Sequence, residues 1–320
     1  MRRTGVVLSI AIVFALLSIS VAAVPVFVET ETTPINSFEL DPITQDVAIQ
    51  TEVETIFEEK EAEPEIAESY SSSELSLTEK NYGANVEVDE TSTTMTIKSY
   101  YGSPTKLQIG DEGSSAKNVV IAEGAFRNCK TLTTVDLGSF PTTKTLTIDF
   151  AAFYGCENLT TVTLPAGTVT FGGYAFYGTP WISTLRGEDS QKLAITNGVV
   201  IDGCSAKGDI VIPNTVTAIA PQAFAYNSKI TSITMTTISE IPYRAFANCS
   251  NLESASLAYV KTISNSAFSK ANKLTTIKDC DNLETIGELA LNSCSSLTSF
   301  DTSALSNFKT VERNAFQYCT

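Results

Sequence analysis

Apolar residues in the last two-thirds of the chain return in one fixed order. The stretch GAFRNCKTLTTVDL (124–137) recurs as AAFYGCENLTTVTL (151–164), QAFAYNSKITSITM (222–235), RAFANCSNLESASL (244–257), SAFSKANKLTTIKD (266–279) and LALNSCSSLTSFDT (289–302). Partial copies are YAFYGTPWISTL (174–185) and NAFQYCT (314–320). One large apolar residue anchors each copy: Phe126, Phe153, Phe176, Phe224, Phe246, Phe268, Leu291 and Phe316. The anchors are spaced by 27, 23, 48, 22, 22, 23 and 25 residues, so one degenerate repeat hides in the interval of 48. After each anchor, alternation puts Leu132, Val135 and Leu137, or Leu159, Val162 and Leu164, on one side of a short strand. A second extended piece precedes each anchor and sends Ile219, Ile241, Ile263, Ile286 and Val311 to the same core.

A period of 22–25 residues with Leu-x-x-Val/Ile-x-Leu inside it is a leucine-rich-repeat pattern. One coil cannot bury its own apolar face, but stacked coils can, which makes the domain a one-dimensional solenoid. Thr- and Ser-rich joints offer few helix formers. The predicted fold is therefore mostly β: a leucine-rich-repeat solenoid with few helices, over residues 116–320, behind an amino-terminal cap at 81–115.

The amino-terminal third follows other rules. Arg2 and Arg3 precede the apolar run Gly5–Ile19, and small residues follow at Ser20, Ala22 and Ala23. This is the layout of a signal peptide spanning 1–23. The uncharged run continues to Val28, so a retained signal anchor is the rival reading. Residues 24–80 read as an acidic, low-complexity, disordered stalk, since 29–80 hold 15 acidic and 2 basic residues. Within it, Val47, Ile49, Val53, Ile56 and Phe57 allow a transient amphipathic helix. The stalk supplies most of the net charge of −15; that balance and its location exclude nucleic acid as a main partner.

Candidate chemistry is sparse. The chain has no histidine, which removes His-based triads and His-ligated metal, and it has no P-loop, GxSxG or GxGxxG. Neither enzyme activity nor a cofactor is expected. Asp202, Asp209, Asp279 and Asp281 read as solvated turn carboxylates, at most a weak calcium site. Five of seven cysteines, Cys129, Cys156, Cys249, Cys294 and Cys319, fall three residues after an anchor. A shared register implies a shared environment, a rung of buried thiols. The alternative is disulfides between neighbouring coils, Cys129–Cys156 or Cys294–Cys319. Cys204 and Cys280 lie off this column. Asn158 and Asn248 are sequons for glycosylation, Asn158 the better placed. Small hydroxyls dominate the outward strand positions: Thr134, Asp136, Thr161, Thr163, Ser232, Thr234, Ser254, Ser256, Thr276, Lys278, Ser299 and Asp301. Two readings stand, a good β surface or a polar binding face.

The repeat unit x-I-x-x-x-A-F-x-x-C-x-x-L-x-x-V-x-L resembles that of the BspA-like leucine-rich-repeat surface proteins, a class close to the treponemal leucine-rich-repeat proteins. GTPW (178–181), NGVVIDGC (197–204) and DIVIPNTVTAIAPQAF (209–224) resemble that family's irregular coil. Departures are Leu291 for Phe, and Thr179, Asn227 and Ala271 for Cys. The resemblance implies a secreted or cell-surface adhesin that binds protein or glycan ligands on host cells or extracellular matrix. The competing expectation is a structural surface-coat component without a specific ligand. Membrane attachment is expected only through the signal anchor. The last coil, KTVERNAFQYCT, lacks the strand that follows other anchors, which leads us to expect a fragment or an edge that self-associates.

Overall fold

A computed structural model describes residues 42–58, 74–77, 86–100, 102–109, 118–187, 191–300 and 305–319. The signal segment, and with it both readings of residues 1–23, lies outside the described residues.

The chain folds as a leucine-rich-repeat solenoid of about nine turns. Each coil supplies strands to parallel ladders, because a three- or four-residue strand can satisfy its backbone only against the equivalent strand of the next coil. One ladder joins β1 (Glu74–Leu77), β4 (Lys106–Ile109), β6 (Thr134–Asp136) and β8 (Thr161–Thr163). It resumes as β12 (Gly208–Val211), β14 (Ile230–Met235), β16 (Ser254–Leu257) and β18 (Thr276–Lys278). Pre-anchor pieces build the others, and antiparallel hairpins begin two of them, β2 on β3 and β10 on β11: β2 (Val86–Glu90), β3 (Thr94–Tyr100), β5 (Asn118–Ile121), β7 (Thr145–Ile148) and β9 (Thr168–Phe171) lie in one sheet. β10 (Ala194–Thr196), β11 (Val199–Asp202) and β13 (Ala218–Ile219) make a second. β15 (Glu240–Ile241), β17 (Thr262–Ile263), β19 (Thr285–Ile286) and β20 (Thr310–Val311) make a third. Their registers pair like with like, Ile241 with Ile263 and Ile263 with Ile286.

The anchors fill the centre. Tyr100, Phe126, Phe153 and Phe176 stack with ring centroids 5.8, 5.2 and 5.0 Å apart; Phe224, Phe246 and Phe268 continue at 4.9 and 5.2 Å. A third ladder fixes that spacing. The backbone N–H groups of Gln222, Phe224 and Tyr226 donate to the carbonyls of Tyr243, Ala245 and Ala247, and those of Arg244, Phe246 and Asn248 to Asn265, Ala267 and Ser269. To present alternate N–H groups this way, two residues per coil take left-handed backbone, two before and two after the anchor: Gln222 and Tyr226, Arg244 and Asn248, Ser266 and Lys270.

Four expectations are corrected. The stalk at 24–80 is not solvated throughout. Residues Pro42–Glu58 form helix α1, and β1 pairs with β4. Ile49 and Val53 are fully buried against the solenoid, whereas Val47, placed on the apolar side from sequence, is 55% exposed. The buried set is Gln45, Ile49 and Val53, at helical spacing of four, with Glu52 beside it. The inward role of Val311 fails as well, since it is 48% exposed where no further described coil stacks on β20. The strand expected at 297–301 does not form among its described residues, Leu297–Phe300.

Candidate binding face

The twelve outward positions do not make one continuous array. Thr134 pairs with Thr161 and Asp136 with Thr163 on the first ladder. Ser232 pairs with Ser254 and then Thr276, and Thr234 with Ser256 and then Lys278, on the second. Between the ladders the strand is replaced by helix α2 (Pro180–Leu185). Trp181 donates its backbone N–H to the Leu159 carbonyl, and its ring packs edge-on against Phe176 at 4.7 Å, closing the sheet edge. Thr179, in the cysteine position, caps α2: its hydroxyl donates to the Phe176 carbonyl and accepts from the Ile182 N–H.

Acidic side chains order the second patch. Asp209 accepts from the hydroxyls of Thr231 (2.9 Å) and Ser232 (2.6 Å), which holds its carboxyl below the usual range. Asp279 accepts from Ser256 at 2.5 Å. Ser256 keeps the outward register of Thr234 and Lys278 but is buried, its hydroxyl bonded to Asp279, so it is not presented, contrary to expectation. Thr276, Lys278, Thr161 and Thr163 are exposed, and Ser232, Thr234 and Ser254 are partly so. Ser299 is exposed but stands on no strand, and Asp301 lies outside the described residues.

The thiol column has a specific geometry. Cys156, Cys249, Cys294 and Cys319 each donate Sγ–H to the carbonyl of the anchor one coil back: Phe126, Phe224, Phe268 and Leu291, at 3.1–3.2 Å. All seven cysteines stand as free thiols. Their environments are not identical, for Cys129 and Cys319 are only partly buried. Burial pushes Cys156 and Cys294 up to about 12 and Cys249 up as well. Asn227 fills the column in the irregular coil. Its amide donates to the Gly203 and Ala206 carbonyls, and its oxygen accepts from the N–H groups of Lys229 and Ile230.

Of the four turn carboxylates, Asp202 is buried, not solvated. Both Arg186 Nε (2.9 Å) and Nη2 (2.8 Å) meet its Oδ1. Burial raises the Asp202 carboxyl despite that partner. Neither residue stands in a recurring position, so sequence periodicity gives no signal for the pair. Beside it, a cleft of about 790 Å³ opens between α1 and the solenoid, lined by Gln50, Tyr154, Tyr177, Pro180, Arg186 and Lys229. Among the described residues no group of three or more acidic or cysteine side chains is placed to hold a metal ion. Asn158 is exposed, and its amide donates to the Lys130 carbonyl at 2.6 Å; Asn248 is half-buried in left-handed backbone.

The stacked anchors, thiol column and paired strands define a leucine-rich-repeat solenoid. The chain belongs to the BspA type leucine rich repeat family, whose model matches in six copies over residues 119–199 and 200–320. Solved structures similar in fold include a T. pallidum leucine-rich-repeat protein (21% identity, 68% of this chain and 91% of that one, TM-score 0.35). Others are a leucine-rich cell-surface protein of Faecalibacterium prausnitzii (16%, 72% and 97%, 0.33) and the pneumococcal vaccine antigen PcpA (13%, 73% and 85%, 0.28). No curated protein matches the chain. Among the described residues no helix is long and apolar enough to cross a membrane.

Proposed function

We propose that this protein is a secreted or surface-displayed binding module of adhesin type, which takes protein or glycan ligands of host cells or matrix on its strand face. The observation that carries this reading is the in-register hydroxyl row Ser232–Ser254–Thr276, flanked by Lys278 and by Asp209. A row of small hydroxyls at strand spacing offers repeated donors and acceptors with little side-chain entropy to lose. Fold alone does not give function, so the row itself is the test. Ser232→Arg and Thr276→Arg point bulk outward and leave the core untouched. Both should abolish capture of intact cells or matrix extract by the full chain, with an unchanged circular dichroism spectrum. Capture that survives both substitutions rejects the strand face; saturable capture by neither cells nor matrix favours a coat component instead.

A further inference from the structure

Helix α1 reads the turn face of the solenoid, residue by residue. Three side chains two positions before an anchor, Tyr174, Gln222 and Arg244, converge on one carboxylate, Glu52. Tyr174 donates at 3.1 Å to Oε2, while Gln222 at 2.9 Å and Arg244 at 2.5 Å reach Oε1. Side chains one position after an anchor take the flanks: Arg127 pairs with Glu54 at 2.8 Å, and the Tyr177 hydroxyl bonds to Asp46. Phe57 lies under the Arg127 guanidinium, 4.0 Å from ring centroid to Cζ. It also fills the space a Cβ would need at Gly124, only 2.4 Å away. Gln45 donates to the Cys204 carbonyl.

This surface matches one kind of occupant. α1 has four acidic and no basic residues, and the arginines that meet it are Arg127 and Arg244. The carboxylate side chain of Glu52 is only 6% exposed, so its partners are desolvated and specific. Yet the solenoid does not depend on the helix for closure. Ile49 and Val53 pack in a small separate cluster with Ala151, Tyr154, Tyr174 and Ala225, outside the central core. The described hydrogen bonds from α1 to the solenoid all run through its side chains, and it adds no strand to any ladder. α1 also stands before the segment that matches the family, and fifteen residues separate Glu58 from Glu74, a reach of up to about 50 Å.

We propose that the turn face is a binding site for an acidic amphipathic helix, that α1 is its tethered and exchangeable ligand, and that the α1 segment of a second copy takes the same place. The site is distinct from the strand face, so its test is independent of ligand capture. A protease site is inserted between residues 60 and 70 of the full chain and cut in the folded protein. A labelled peptide of residues 42–58 is then added. The peptide should enter saturably, displace the cut fragment, and weaken modestly in about 0.5 M salt, which screens the more exposed Arg127–Glu54 pair rather than the buried Glu52 cluster. A Glu52→Gln peptide, or wild-type peptide on Arg244→Gln protein, should bind roughly ten-fold or more weakly, because each leaves a buried charge without its partner. Differently tagged uncut copies should co-purify at high concentration, and the Glu52→Gln chain should not. A cut fragment that excess peptide does not displace overturns exchange. Equal binding of wild-type and Glu52→Gln peptides overturns the site. Tagged copies that stay separate overturn the second-copy occupant.

Discussion

Asn227 and Cys249 hold the same position in successive coils by different chemistry. Cys249 offers one weak donor to one carbonyl, while Asn227 satisfies two carbonyls and two N–H groups from full burial. A buried group that loses its partner costs its full desolvation, so the two truncations must differ. Asn227→Ala should destabilise by about 2–4 kcal/mol and Cys249→Ala by about 1–2 kcal/mol, read as urea midpoints at unchanged m. Equal losses would refute this account of the column. Backbone strain makes a second residue-scale prediction. Lys270 is exposed with φ 62°, in the position Gly155 and Gly178 occupy in their coils. A non-glycine residue there costs about 1–2 kcal/mol, and glycine adds about 0.5–1 kcal/mol of chain entropy to the unfolded state. Lys270→Gly should therefore be neutral or stabilise by up to about 1 kcal/mol, by the same urea measurement. A clear loss would show that Lys270 makes contacts that outweigh its strain.

Among elements, α2 is where the ladder gives way to a ring. Its N-cap, Thr179, donates to one carbonyl and accepts one N–H, and the single tryptophan of the chain sits two residues on. Thr179→Ala should cost about 1–2 kcal/mol and shift Trp181 emission to the red as the helix start loosens. An unshifted spectrum with unchanged stability would deny the cap its role. What was legible from sequence divides along the same line. The strand columns and stacked anchors recur every 22–27 residues in most coils, so periodicity announces Ile241, Ile263, Phe246 and Phe268 directly. The left-handed columns recur as faithfully in backbone but are filled by Ala151, Tyr174, Gln222, Arg244, Ser266 and Leu289, with no shared side chain to reveal them. α1 escapes for a related reason. Its decisive residue is a carboxylate, Glu52, in an acidic run whose composition reads as solvated, and its partners lie 122–192 residues away. The break in the hydroxyl rows was only half legible: GTPW marks an irregular coil in the sequence, but that its TPW opens a helix in place of a strand shows only in the packing of Trp181 on Phe176.

At the scale of the whole molecule, a solenoid adds nearest-neighbour terms, so a group repeated along its axis acts as a repeated lever on stability. The thiol column is such a group. Burial raises the folded pKa of Cys156 and Cys294 to about 12 and raises Cys249 in the same direction; off the column, burial also raises Cys204. A thiol in the unfolded chain ionises near 8.5. The folded value is the higher one, so the contribution is fully present below about pH 8.5 and is lost as pH rises toward about 12. Each such thiol should remove roughly 1.4 kcal/mol of unfolding free energy per pH unit inside that window. Tyrosines enter later: unfolded tyrosine ionises near 10, and burial holds Tyr154 at about 12. The interval from about pH 8.5 to 10 therefore belongs mainly to the thiols. Urea unfolding followed by far-ultraviolet circular dichroism should show stability level from pH 6 to 8, then a fall whose slope counts the buried thiols. Replacing Cys156 and Cys294 together with serine, which keeps a donor toward the Phe126 and Phe268 carbonyls but does not ionise, should lower stability at pH 7 and flatten that slope by two thiols' share. A slope unchanged in the double variant, or stability level through pH 10 in the parent chain, would show that the column is not the alkaline lever.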